Sequence, residues 1–306
     1  MIEQDIDDLI AELAQPEPEP PADRTPTHDR FGCYDNLPPV PGHGTGPWPR
    51  VSDMDFFSDD KYLIQWQQRQ VVRALELNQR ELTAESTDED LFKPMRGSRF
   101  DAATSYGKKK INGIVDRCHE LIGSHKGSEL GTKFHEFAEL LDGGADPKAF
   151  DLTPDLLKML KAYWKIRKYF DIQPVPGYLE RTVFIPELGA CGTFDHLDTD
   201  GDSDLPVVGD TKTQSTMHFS NIAIPQQLGS YAHASLVLDR PTWTWQPMPE
   251  VNQELAVVLW CPADEPGRAS VQDIDIVKGW HYALAAREVR EDWRTDTSTI
   301  RQRVTR

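Results

Sequence analysis

The sequence predicts an α/β protein in which a mixed central β-sheet is flanked by helices. Helix-length segments precede and follow a group of strand-length segments, which are rich in apolar and β-branched residues. An acidic turn joins two of the strand segments, which indicates a hairpin. The order of these segments is typical of a sheet flanked by helices, and 306 residues allow one or two domains.

The beginning of the chain differs in composition from the rest. Residues 1–60 hold fourteen acidic and three basic side chains, in a chain whose formal net charge is −17. Prolines recur in Pro16 to Pro21 and Pro38 to Pro47, so we expect residues 1–50 to form a disordered acidic tail. Within this tail, Ile2 to Leu13 has helical spacing, which fits either a frayed helix or a segment that docks onto a partner protein.

Residues 51–128 are expected to form a helical subdomain. Asp59 to Leu82 has apolar residues at helical spacing, and Ala102 to Ile122 predicts a second helix. Basic residues of this stretch could bind phosphates, although a short basic run is more often a solvated helix face. These residues are Arg96, Arg99, Lys108, Lys109 and Lys110.

Residues 129–306 are expected to contain the sheet. A helix around Gly131 is ended by Gly143-Gly144, and a second helix covers Asp151 to Phe170. In the second helix, apolar residues including Leu157 and Trp164 are expected to pack, whereas the basic residues face solvent: Lys161, Lys165, Arg167 and Lys168. Strands are predicted at Gly177 to Leu188, Ala190 to Leu197, Leu205 to Val208, Glu254 to Trp260 and Ala269 to Ile276, with helices from Ile224 and from Val277 to Trp293.

The acidic turn Asp200 to Asp204 determines which residues face each other in the hairpin. A symmetric turn places Asp195 opposite Asp210, and side-chain alternation puts Lys212 on the same face as Asp210. Facing carboxylates repel each other, which favours a cation between them. This arrangement suits metal-assisted phosphodiester hydrolysis, in which Mg²⁺ or Mn²⁺ activates water and the lysine offsets developing charge. The alternative is a solvated sheet face with polar residues at alternate positions.

Two helical pairs add candidate residues. His135 and Glu139 lie one turn apart, but a zinc-protease motif would need histidine where Glu139 stands. Gln227 and Tyr231 also lie one turn apart, on the helix whose first turn contains Pro225.

Four ordered motifs resemble the RecB-like nucleases of the PD-(D/E)xK superfamily. This family includes nuclease domains of bacterial recombination helicases, CRISPR-adaptation nucleases and phage exonucleases. The motifs are Gly131-x-x-x-His135, Gly192-Thr-x-Asp195, Asp210-x-Lys212 and Gln227-x-x-x-Tyr231, and the resemblance covers roughly residues 129–275. It implies a restriction-endonuclease-like core.

The resemblance also implies an activity and a role for each residue. It implies a Mg²⁺- or Mn²⁺-dependent DNA exonuclease in recombination, repair or phage DNA metabolism; an endonuclease and a catalytically idle DNA-binding or assembly module are the alternatives. Lys212 would be the catalytic lysine, Gln227 and Tyr231 would position DNA or that lysine, and Glu180 would match an acidic residue preceding the core strands. The metal ligands would be His135, Asp195, Asp210 and the carbonyl of Thr211.

The cysteines and the hydropathy indicate the cellular setting. Cys33, Cys118, Cys191 and Cys261 lack metal-ligand spacing, which is typical of reduced thiols in a cytoplasmic protein. The family resemblance implies a bacterial or phage-infected cell. Some relatives in the resembling family hold an iron–sulfur cluster through late cysteines, but only Cys261 lies late here, so no cluster is expected. No apolar run could span a bilayer and no signal peptide is recognisable, so no membrane association is expected.

Overall fold

The computed structural model describes residues 24–54, 61–77, 112–113, 115–116, 118–120, 126–145, 152–201, 203–217 and 222–295. The protein is α/β with a seven-stranded mixed sheet, as the sequence predicts. Two compact units divide the chain, one of residues 1–58 with 133–306 and one of residues 59–132. The sheet belongs to the first unit.

The sheet has the strand order β5-β4-β1-β2-β3-β6-β7. Its strands are β1 (Gln173–Ile185), β2 (Ala190–Thr199), β3 (Val207–Lys212), β4 (Leu236–Asp239), β5 (Thr244–Pro247), β6 (Leu255–Trp260) and β7 (Ser270–Asp275). Neighbouring strands are antiparallel except β3 and β6, which are parallel. Strands β3 and β6 are almost wholly buried, which explains their short continuous apolar runs.

The described helices are α1 (Lys61–Leu77), α2 (Lys126–Asp142), α3 (Pro154–Tyr169), α4 (Ala223–Ala232) and α5 (Val277–Thr295), with a short 3₁₀ turn at Val51–Met54. Helix α2 ends at Gly143-Gly144 as predicted, because Gly144 adopts the left-handed φ of +86° that stops a helix. Thr153 caps α3 by accepting a hydrogen bond from the Leu156 N–H. None of the described helices is long and apolar enough to cross a membrane.

The main apolar core lies between the sheet and the pair α4 and α5. Glycines allow the two helices to approach closely, because a Cβ on Gly229 or Gly279 would strike backbone atoms of the other helix. The core contains side chains of β1, β2, β3, β6 and both helices, among them Val183, Phe194, Val208, Leu228, Val258 and Ala283.

Residues 24–50 correct the expectation of a disordered tail. They form turns and isolated β-bridges, and Arg50 pairs with Cys191 of β2. Three of their side chains are buried in a second apolar cluster with Phe184 of β1 and Leu238 of β4: Tyr34, Leu37 and Val40. Average composition hides these few apolar side chains among prolines and glycines. Residues 1–23, with the segment Ile2 to Leu13, lie outside the described residues.

Helix α3 and the far edge of the sheet also differ from the prediction. Strands β4 and β5 were not predicted, because each has only four residues. On α3, Trp164 is 59% exposed although packing was expected, and Arg167 is 4% exposed although solvent was expected. Arg167 can be buried because it forms an ion pair with the buried Asp198 of β2, which sequence spacing does not reveal.

Candidate functional site

Three carboxylates stand in one row across β1, β2 and β3. The β2–β3 register pairs His196 with Gly209, so the next position places Asp195 opposite Asp210, as predicted. In the β1–β2 register, the residues on either side of Glu180 pair with the residues on either side of Asp195, so Glu180 lies opposite Asp195. Like charges directly opposite each other are unfavourable. The row therefore attracts a cation.

Lys212 and the backbone of β3 already compensate part of this negative charge. The Nζ atom of Lys212 donates to Asp210 Oδ1 at 2.8 Å and lies 2.7 Å from Oδ2. The Thr211 N–H donates to Asp195 Oδ2 at 2.8 Å, and His135 Nδ1 lies 3.8 Å from the same oxygen. The predicted residues His135, Asp195, Asp210 and Lys212 therefore come together, and the backbone of Thr211 binds Asp195.

The protonation states of His135 and Lys212 suit a metal site. Burial lowers the pKa of His135, so its imidazole is neutral at neutral pH and can act as a ligand. Burial opposes the charge on Lys212, but Asp210 and Asp195 raise the pKa of the lysine above its ordinary value. Lys212 therefore remains a cation that donates hydrogen bonds.

Glu180 is the least ordinary member of the row. Its φ is +47°, a left-handed conformation rare outside glycine, and it follows an irregularity in the β1–β2 register between Pro174 and Leu179. Arg240 donates to its carbonyl oxygen at 2.5 Å. Burial, then Asp195 and Glu139, raises the pKa of Glu180 to about 8. Only the family resemblance pointed to this residue, because spacing alone did not reveal the irregularity.

The raised pKa predicts how Glu180→Gln changes stability with pH. Folding favours the protonated form, so this contribution is complete below pH 4.5 and is lost as pH rises through about 8. As pH rises from 5 to 9 in metal-free buffer, the natural protein should therefore lose about 1–3 kcal/mol of unfolding free energy that the variant keeps. One pKa unit corresponds to about 1.4 kcal/mol, and partial exposure of the side chain reduces the total. Urea unfolding at both pH values measures this. The exposed Glu187→Gln is the control, and parallel pH curves for natural protein and Glu180→Gln would contradict the assignment.

A buried polar chain supports the row from the side of α3. Arg167 Nη2 donates to Asp198 Oδ1 at 2.5 Å, and Asp198 Oδ2 lies 2.7 Å from His196 Nδ1 without hydrogen-bond geometry. His196 Nε2 lies 3.3 Å from Thr211 Oγ1. Burial opposes protonation of His196, but Asp198 raises its pKa overall. The chain thus connects Arg167 to Thr211, whose N–H holds Asp195.

The sequence contained a signal for this chain that the motifs did not use. His196 and Asp198 are polar residues in a strand that is otherwise nearly all buried, and both are themselves buried. A buried charged group requires a compensating partner. Because Asp198 is fully buried, its charge requires a buried basic partner, and Arg167 is that partner.

Gln227 and Tyr231 are joined by a hydrogen bond from Gln227 Nε2 to Tyr231 Oη of 3.0 Å. Tyr231 is buried and its ring lies against Gly192, where a Cβ would overlap the ring. The burial leaves Tyr231 able to position Gln227 but not to contact a large ligand directly. The basic residues Arg96, Arg99, Lys108, Lys109 and Lys110 lie outside the described residues.

The donor atoms suit a hard divalent ion, although they are not assembled into a cage. Carboxylate oxygens and one neutral imidazole are ligands that Mg²⁺ and Mn²⁺ accept. Asp210 Oδ2 is buried and lies 2.7 Å from the Lys212 ammonium group, so a metal ion at this carboxylate shares it with the lysine. Among the residues that the structure describes, no three His, Cys, Asp or Glu side chains converge closely enough to hold a metal. His135, Glu139, Glu180 and Asp195 nevertheless line one small cavity.

Comparison with known proteins leaves the family open. No family model matches the chain, and no curated protein matches its sequence. The function is therefore inferred from the geometry of the row and its neighbours.

Proposed function

We propose that the chain is a divalent-metal-dependent deoxyribonuclease that hydrolyses DNA phosphodiester bonds. The observation that carries the proposal is the placement of Asp195 opposite Asp210, with Lys212 bound to Asp210 and His135 beside Asp195. Facing carboxylates, a neutral imidazole and a protonated lysine combine cation binding with donation to a phosphoryl oxygen.

Each residue has a distinct task in this proposal. His135, Asp195 and Asp210, with the Thr211 carbonyl, would hold Mg²⁺ or Mn²⁺, and Glu180 stands next in the row. When bound, such an ion polarises the phosphoryl oxygen and makes water more acidic. Lys212 donates hydrogen bonds where negative charge develops, and Asp210 keeps its ammonium group oriented.

The supporting residues keep this arrangement in place. The Thr211 N–H fixes the Asp195 carboxylate, and His196 contacts the Thr211 hydroxyl from behind. Tyr231 accepts a hydrogen bond from Gln227 and so orients this half-buried side chain. The finer proposal of an exonuclease that trims DNA ends is supported by the resemblance to RecB-like nucleases.

Lys212→Ala tests whether catalysis depends on the lysine. Loss of one preorganised donor lowers the rate by about 10²–10³-fold. Metal affinity should change little, because a protonated lysine is not a ligand. Cleavage of labelled DNA gives the rate, and calorimetric titration with Mn²⁺ gives the affinity.

Lys278→Ala, an exposed lysine of α5, is the matched control and should retain full activity. Near-normal cleavage by Lys212→Ala would mean that this lysine only neutralises Asp210.

A second candidate is a DNA-binding or assembly module that does not cleave. It is favoured by the closed ion pair of Lys212 with Asp210 and by the lack, within the described ranges, of a preassembled three-ligand group. The two candidates differ in one assay. A module would bind DNA equally with chelator or Mg²⁺ and would leave end-labelled DNA intact under both conditions.

A further inference from the structure

The outer face of α3 is basic and aromatic, unlike the chain as a whole. The helix carries five basic residues and one acidic residue, whereas the formal net charge of the protein is −17. Its last turns also expose large aromatic side chains, with Trp164 59% exposed and Tyr169 78% exposed. Single exposed apolar residues are ordinary, but neighbouring aromatic rings among lysines indicate an interaction surface.

The helix spacing gathers these side chains into one stripe. Lys161, Trp164 and Lys168 are separated by three and four positions, so they lie above one another on the same face. Lys168 Nζ stands 5.1 Å from the centroid of the Trp164 ring, within the range of a cation–π contact. Beyond the stripe, the rings of Tyr169 and Phe170 meet edge to face at 4.9 Å.

Three lysines on the outer face of α3 are available to an external anion. Lys158, nearer the start of the helix, is paired with Asp155 at 3.0 Å. In the part of the chain that the structure describes, Lys161, Lys165 and Lys168 form no ion pair with an acidic side chain. All three are exposed. Their charge is therefore directed to solvent.

The opposite face of the same helix forms part of the candidate site. Tyr163, the neighbour of Trp164, lines the small cavity together with His135 and Asp195. Arg167, the neighbour of Lys168, holds Asp198. A strand that follows the outer face of α3 would thus run along an element that also forms a wall of the site.

We propose that this face of α3 binds single-stranded DNA and guides it to the candidate nuclease site. Bases stack on Trp164 and Tyr169, while phosphates lie against Lys161, Lys165 and Lys168. Aromatic platforms combined with lysines are the usual means of binding single strands without sequence preference. Duplex DNA is the weaker ligand, because its bases are stacked on each other and present no face to an exposed ring. Delivery of the strand to a nuclease site rests on the proposed function, whereas binding of the strand by α3 does not.

The test measures binding separately from cleavage. Fluorescence anisotropy of a short labelled thymidine homopolymer is recorded in chelator, so that no strand is cut, with a duplex of equal length beside it. Trp164→Ala should weaken binding of the single strand by about tenfold, and Trp164→Phe should retain most of it because a stacking face remains. Lys161→Gln with Lys165→Gln should reduce the slope of log affinity against log salt by about 0.7 for each lysine lost.

Matched changes on α5 provide the control. Lys278→Gln and Tyr282→Ala remove an exposed lysine and an exposed aromatic ring from another helix of the same unit, and both should leave affinity for the single strand unchanged. Equal affinity of the α3 and α5 variants for the single strand would overturn the proposal and would favour a protein partner for the α3 face. Tighter binding of duplex than of single strand would also overturn it.

The two proposals fail in different ways. A protein that cleaves DNA with metal, but whose α3 variants bind the single strand normally, retains the nuclease function and loses the guiding face. A protein that binds the single strand through α3, but never cleaves, retains the face and loses the nuclease function.

Discussion

Asp210→Asn is expected to lower DNA cleavage by at least about 10³-fold while the protein remains folded. The substitution removes a negative charge from the β3 end of the row and leaves Lys212 without its ion-pair partner. An amide oxygen is a weaker ligand for a hard divalent ion than a carboxylate. Calorimetry should therefore show much weaker Mn²⁺ binding, and timed cleavage of end-labelled DNA should show almost no product.

The control for this variant is Asp273→Asn, which makes the same change at an exposed position of β7. It should cleave DNA at the natural rate. Circular dichroism of both variants checks that the folds are retained. Normal turnover by Asp210→Asn would remove this carboxylate from the chemistry, and equal loss in both variants would point to a general effect of charge.

Arg167→Ala is expected to lower the free energy of unfolding by about 3–5 kcal/mol, because it leaves a buried charge without its partner. Arg167 is 4% exposed and Asp198 is 0% exposed. The guanidinium group binds Asp198, donates to Tyr163 Oη at 2.9 Å and lies 3.6 Å from Asp142. Urea unfolding followed by tryptophan fluorescence measures the change.

Two variants of α3 make this measurement specific. Lys165→Ala, on the exposed face, should change stability by no more than about 0.5 kcal/mol. Arg167→Lys keeps the charge but loses the planar pair of donors, so its loss of unfolding free energy should lie between those of Arg167→Ala and Lys165→Ala. An unchanged unfolding midpoint for Arg167→Ala would contradict the role of the buried chain.

The local parts of the site could be predicted from the sequence. The facing positions of Asp195 and Asp210 follow from a short turn, and the shared face of Asp210 and Lys212 follows from strand alternation. The helix around His135 was predictable from its spacing and from its terminal glycines. In each case, a contact between residues close in sequence sufficed.

The parts that spacing alone did not predict depend on irregular backbone or on contacts between distant segments. Glu180 itself has a left-handed backbone conformation within β1, and no sequence period predicts that irregularity. Arg167 is buried because Asp198 lies across from it on another element, thirty-one positions along the chain. Tyr34 is buried because residues 24–50 find the sheet surface around Phe184, which their proline-rich composition does not predict.

The most direct measurement incubates the natural protein with end-labelled single-stranded and double-stranded DNA in Mg²⁺, in Mn²⁺ and in excess chelator. The proposed nuclease releases short labelled products with either metal ion and none in chelator, and an exonuclease removes the label from an end before internal fragments form. Intact DNA under all conditions, or cleavage that continues unchanged in chelator, would contradict a metal-dependent function for the row of Glu180, Asp195 and Asp210.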